Sequence, residues 1–194
     1  MSGNTIYRAA PLQVKPPRKV SLNTFLRKYS KGKPGIKYEY NKGLIEKTAS
    51  MKAHEQYLVF NLLKHFSSTP SAKQGHQIVQ ELEIWTSSNQ WRKPDLAFLT
   101  VEQARAGAQG FEPIPEFIIE VISPNDKINI VKNKVYEYFN AGVKILWQLF
   151  PEQQVIEVYR SPEDVELCSG DKKCSAEPIV EGFVLSAADV FKAL

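Results

Sequence analysis

The chain predicts an α/β (or α+β) fold, with helices flanking a mixed β-sheet, and three observations carry that prediction. Two long segments, Met51 to Ser67 and Asp126 to Ala141, hold apolar residues at helical spacing. Short runs rich in Ile, Val, Leu and aromatic residues, bounded by turn residues, lie between and after them. Helical and extended patterns are interspersed rather than segregated, without an internal repeat. At 194 residues and 43% hydrophobic content, the length fits one domain with a full core.

Residues 1–20 contain Pro11, Pro16 and Pro17 with little periodicity and read as an extended basic arm, leaving 21–194 as a single domain. Ser21 is placed to cap a helix from Leu22 to Tyr29. Ile36 to Tyr40 and Leu44 to Lys47 read as a hairpin around Asn41-Lys42-Gly43. In the first long helix, Leu58, Val59, Leu62, Leu63 and Phe66 form an apolar stripe, and Pro70 follows its end. Residues 77–86 alternate as one strand, with Ile78, Leu82 and Ile84 on one side and Glu81, Glu83 and Trp85 on the other. Ser87 to Gln90 form a turn, and the strands of Asp95 and Glu120 follow, separated by a short helix or loop over 101–115. The second long helix stops at Gly142. Ile145 to Leu149 and Val155 to Tyr159 are strands joined around Pro151 and Glu152. A polar connection over 161–176 leads to a last strand edge and short helix between Phe183 and Leu194.

Composition narrows the function classes. No apolar run reaches the ~20 residues of a membrane span, and Met1 to Ile6 lack an apolar signal core. Cys168 and Cys174 lie in a polar stretch and read as free thiols, which points to a cytoplasmic protein. The net charge of +4 is compatible with a polyanionic partner. Much of the excess sits at Lys15, Arg18, Lys19, Arg27, Lys28, Lys31, Lys33 and Lys37, either a solvated leader or a surface that tracks phosphates. No phosphate loop, dinucleotide fingerprint or nucleophile elbow is present. Neither the two cysteines nor His54, His65 and His76 suit a zinc site.

The chemistry concentrates at two acids. Glu120 interrupts the apolar run Phe117-Ile118-Ile119-Glu120-Val121-Ile122, where an unpaired buried carboxylate is costly. Asp95, twenty-five residues earlier, follows Lys93-Pro94 and opens the apolar run Leu96 to Leu99. Two strand acids on one sheet form a natural site for Mg²⁺ (or Mn²⁺), which prefers oxygen ligands. A phosphodiesterase would add a cation to orient water or offset developing charge. Lys134 is the candidate, at the margin of the stripe formed by Val131, Val135 and Tyr138, although spacing alone fits an ordinary surface lysine better. Tyr136, Tyr138 and Phe139 read as core rather than as stacking platforms.

An ordered set of residues carries a family resemblance. Pro94-Asp95, Glu120 to Asp126, Lys134 with Tyr138, Ala141-Gly142-Val143 and Trp147 resemble the Uma-type family of restriction-endonuclease-like proteins, within the PD-(D/E)xK nuclease superfamily. Tyr38-Glu39-Tyr40, Gly43, Ile45-Glu46, His54, Val155 to Tyr159, Gly182-Phe183 and Phe191 extend the likeness over about residues 21–194. The resemblance implies a restriction-endonuclease-like sheet core and a Mg²⁺-dependent endonuclease acting on nucleic acid, most simply DNA, and double-strand cutting by a single-site protein would favour a homodimer. It implies Asp95 and Glu120 as metal-binding acids, with the Val121 carbonyl as an added ligand. Lys134 would replace the motif lysine, whose usual place is held by Ile122. Phe150 stands where the family often has Asp. Glu39 and His54 are supporting candidates, with a solvent-facing strand glutamate and a packed or capping histidine as the alternatives. The competing functional readings are a catalytically silent nucleic-acid-binding module and an interaction scaffold on the same fold.

Overall fold

The pleated runs and helical stripes assemble into three sheets and six helices in a computed structural model that describes residues 17–52 and 55–193. The N-terminal hairpin pairs β1 (Ile36–Asn41) with β2 (Leu44–Ala49), and β1 also pairs with β5 (Gln90–Arg92), which pairs with β4 (Ile84–Ser87). This four-stranded sheet has the order β2-β1-β5-β4. Helix α1 (Leu22–Lys28) is capped by Ser21, as its sequence predicts, and drives Phe25 between Tyr40 and Trp91.

The main sheet has six strands, β3 (Gln77–Gln80), β6 (Leu96–Leu99), β7 (Phe117–Val121), β8 (Ile145–Phe150), β9 (Val155–Tyr159) and β10 (Val165–Ser169). Their order is β10-β9-β8-β7-β6-β3, and only β7 and β8 run parallel, so the sheet is mixed. Helix α5 (Ile128–Ala141) makes the crossover between that parallel pair. It ends where Gly142 adopts φ 114°, a left-handed conformation that glycine takes without steric cost.

Both faces of the main sheet are covered, which is why β7 reads as a near-continuous apolar run broken only by Glu120. Phe117, Ile119, Trp147 and Leu149 pack against Leu58, Leu62 and Phe66 of α2 (Gln56–Ser67). Ile118 and Leu146 pack against Val135 and Tyr138 of α5. Period two then places Glu120 on the same side as Ile118, toward α5. Trp147 is fully buried, stacked on Phe183 at 5.4 Å and edge-on to Phe117 at 5.3 Å.

Several expectations need correction. The alternating segment 77–86 is two strands, broken at Glu81, whose φ of 50° turns the chain from the main sheet into the four-stranded one. The first long helix starts at Gln56 rather than Met51, and the second at Ile128 rather than Asp126. Asp126 instead accepts the Ser123 N–H at 2.8 Å, holding the turn before α5. The segment 101–115 contains helix α4 (Val101–Ala108), closed by a Thr100–Gln103 capping box. The connection 161–176 is not irregular: it holds β10 and β11 (Lys173–Ser175), the latter paired with β12 (Val184–Ser186). It reads as polar because only alternate side chains enter the core, among them Cys168 and Cys174, both buried free thiols. Short helices α3 (Pro70–Lys73) and α6 (Ala187–Phe191) complete the set. Among the described residues no helix is long and apolar enough to cross a membrane.

Trp147→Ala should lower stability by about 3–5 kcal/mol, through lost transfer energy and the cavity left behind. Val165→Ala, on the exposed edge of β10, should change it by less than about 0.5 kcal/mol. Denaturant titration of both variants checks the pair.

Candidate functional site

Three segments distant in sequence converge where the two larger sheets meet. The first is β1, whose alternation sends Tyr38 and Tyr40 toward α1 and Lys37, Glu39 and Asn41 toward the other side. The second runs from Arg92 at the end of β5 to Asp95, just before β6. The third joins Glu120 of β7 to Lys134 and Tyr138 of α5.

Asp95 and Glu120 share a cavity of about 620 Å³ that Lys37, Val121, Lys134 and Gln148 also line. Asp95 Oδ1 accepts from Lys37 Nζ at 2.8 Å, and its Oδ2 accepts the Val121 N–H at 2.8 Å. That second bond ties the start of β6 to the end of β7 and fixes the two acids relative to each other. Glu120 Oε1 accepts from Lys134 Nζ at 3.0 Å and from the Tyr138 hydroxyl at 2.5 Å. Among the described residues no hydrogen bond reaches Glu120 Oε2. Lys134 is held from the other side by Glu39, at 2.9 and 3.0 Å from its two carboxylate oxygens.

Behind Glu39 lies Arg92, which is fully buried. Its guanidinium donates to Glu39 at 3.1 Å, to Glu137 at 2.7 Å and to Glu46. Glu39 and Glu46 stand directly opposite each other on β1 and β2, a repulsive arrangement unless a cation lies between them. Asn41 reinforces the cluster by donating to Glu46 at 2.9 Å and to Glu137 at 3.4 Å.

Charge states follow from this packing. Burial works to raise the Glu39 carboxyl, but Lys134, Arg92 and Lys37 outweigh it and hold it at about 2. Glu120 moves the other way: burial raises it, with Asp95 and Glu39 adding repulsion, against the opposing pull of Lys134 and Lys37. Burial alone would lower Lys134, but Glu120 and Glu39 raise it above its ordinary value, so it stays an ammonium at neutral pH. Lys37 is likewise raised, with Asp95 its strongest partner against the opposing effect of burial. Tyr138 is pushed well above the usual phenol range, by burial first and then by Glu120, and remains a hydrogen-bond donor.

The sequence-predicted residues Asp95, Glu120, Val121, Lys134 and Glu39 are thus brought together, and His54 lies outside the described residues. Two positions differ from their simplest sequence readings. Lys134 is 7% exposed rather than a surface lysine, because α5 packs flat on the main sheet and turns its inner face to Glu120. Glu39 is fully buried rather than solvent-facing, with both oxygens committed to cations and to the Lys93 N–H. Lys37 leaves the basic leader altogether and pairs with Asp95. Tyr136 is 51% exposed rather than core, while Tyr138 is buried. Sequence reasoning missed the roles of Lys37, Arg92, Glu46, Glu137 and Gln148. A signal was present for Lys37: its two-residue spacing from Glu39 and Asn41 puts all three on one face of β1.

As a metal centre, the donor set is oxygen only. No group of three or more His, Cys, Asp or Glu side chains among the described residues is arranged to hold a metal. The available donors are two carboxylates, the end of β7 at Val121 and the buried, unpartnered amide oxygen of Gln148. That set fits a hard divalent ion that keeps waters and takes one or two carboxylates, and it does not fit zinc.

A mixed sheet with a helical crossover, carrying paired acids and a buried lysine at one end, defines a protein of the restriction-endonuclease-like class. Residues 22–188 match the Uma2 family, described as "Putative restriction endonuclease", and the chain belongs to that family. A solved structure titled as that of "a putative nuclease belonging to DUF820" from Anabaena variabilis superposes with a TM-score of 0.74. It is 19% identical and covers 89% of this chain and 97% of its own, which establishes the shared fold. No curated protein sequence matches.

Two pH effects of opposite sign follow. Glu39, depressed from 4.5 to about 2, contributes stability at neutral pH that is lost as the pH falls through that interval. Glu39→Gln should therefore be less stable than wild type at neutral pH, with the gap narrowing toward pH ~2 in acid-unfolding curves. Glu120, raised by burial, costs stability as the pH rises and it ionises, so Glu120→Gln should melt higher than wild type at neutral pH when no metal is added.

Proposed function

We propose that this chain is a Mg²⁺- or Mn²⁺-dependent endonuclease that hydrolyses phosphodiester bonds in DNA. The observation that carries this reading is the convergence of Asp95, Glu120 and the buried Lys134 on one cavity. Asp95, Glu120 and the Val121 carbonyl would hold the ion, which when bound would polarise a phosphate oxygen and acidify a water. Lys134, kept protonated between Glu120 and Glu39, supplies fixed positive charge for the developing charge on phosphate and does not act as a base. Tyr138 holds Glu120 in place through its hydroxyl. Ion binding requires ionised Glu120, so its affinity should fall as the pH drops through the raised Glu120 titration.

Exposed Arg18, Lys47, Lys52 and Lys127 rim the cavity, a suitable electrostatic approach for a nucleic-acid backbone. Residues 21–194 form a single nuclease domain in this reading, and the basic arm expected over residues 1–20 lies, up to residue 16, outside the described residues. Cleavage of both strands by a chain with one site calls for a homodimer, and we place the protein in the cytoplasm.

A second reading, a nucleic-acid-binding module without cleavage, also has support. Lys37 sits 2.8 Å from Asp95, where it competes with an ion for the carboxylate. Plasmid nicking in Mg²⁺ or Mn²⁺ separates the two. Asp95→Ala should abolish nicking while leaving the fold intact by circular dichroism. Equal nicking by wild type and variant would exclude the nuclease reading. Salt-sensitive DNA binding by wild type without nicking would support the second reading.

A further inference from the structure

Gln148 is a polar residue of this cavity whose hydrogen bonding is incomplete. It is 1% exposed, it lies on β8 in register with Glu120 of β7, and it lines the same cavity. Register partners on neighbouring strands face the same side of a sheet, so its amide is carried to the α5 side next to the Glu120 carboxylate. Its Nε2 is 3.5 Å from the Val131 carbonyl, to which it donates, and its Oε1 is buried with no hydrogen-bond partner. Turning the amide over would set Oε1 against the Val131 oxygen, two acceptors in opposition, so the orientation is fixed by chemistry.

A buried acceptor without a donor is costly. The neighbouring strand positions Leu146, Trp147 and Leu149 are all apolar, so nothing in the local packing asks for an amide here. A carbonyl-type oxygen can be satisfied only by a donor or a cation. Asp95 and Glu120 beside it repel anions and favour a cation. Hard divalent ions accept amide oxygens together with carboxylates, and a neutral ligand adds a donor atom without adding negative charge.

We propose that Gln148 supplies an amide-oxygen ligand to the divalent-ion site of Asp95 and Glu120, an inference that rests on the metal-binding reading above. Calorimetric titration of the full chain with Mn²⁺, alone and with a DNA oligonucleotide, tests it on wild type, Gln148→Met, Gln148→Glu and Asp95→Ala. Gln148→Met should weaken ion binding by about tenfold or more, yet melt at or above the wild-type temperature without metal, because the unpartnered acceptor is gone. Gln148→Glu should restore or tighten binding and make it more dependent on pH. Wild-type affinity in Gln148→Met, with binding lost in Asp95→Ala, would overturn the role of Gln148 and leave the carboxylate site standing. A lowered melting temperature in Gln148→Met without recovery of binding in Gln148→Glu would also overturn it, as a packing role. Absence of ion binding by wild type under both conditions would remove the metal reading and this inference together.

Discussion

Arg92 sits where the four-stranded sheet, α5 and the candidate site meet, and its guanidinium is shared among Glu39, Glu46 and Glu137. Removing Arg92 would leave these three acids without their shared cation in a poorly solvated place. The bonds from Arg92 reach β1, β2 and α5, so one side chain sets how the N-terminal hairpin leans on the helix. Only two residues separate Arg92 from Asp95, which means that the anchored arginine also limits where the first acid can lie. The position of Glu39 depends on the same contact, and through Glu39 so does that of Lys134.

The cluster is not electrically balanced when fully ionised. Lys37, Arg92 and Lys134 face Glu39, Glu46, Asp95, Glu120 and Glu137, an excess of two negative charges. Raising Glu120 toward its protonated form relieves part of that excess. A bound divalent cation would relieve all of it, and in doing so would favour the ionised form of the acid it needs. The geometry is therefore strained electrostatically in a direction that an ion corrects, a common arrangement at sites where stability yields to function.

Much of the architecture was legible from periodicity. The apolar run of β7 on both sides of Glu120 signalled a strand covered on both faces, and the stripes of α2 and α5 identified the layers that cover it. Glu120 stood out because it broke that run. Arg92 gave no such signal: Gln90 to Arg92 is too short a strand to show alternation, and its burial arises only when three remote carboxylates surround it. The hairpin's charged face misled for a related reason. Alternating polar residues normally mark solvent, but here the far side of β1 is covered by α1 and the near side by α5, so both are enclosed. The break at Glu81 was hidden because a single left-handed residue leaves alternation intact on either side.

The shared guanidinium also has a bearing on descent. Glu39 and Glu46 come from the first hairpin, Arg92 from the middle of the chain and Glu137 from the crossover helix. No short stretch of gene encodes a self-sufficient part of this arrangement. A relative that loses the arginine must shed or neutralise acids at three remote positions, so these four sites are expected to be inherited or replaced as a unit, and a hairpin exchanged between distant relatives would bring acids without their counterion.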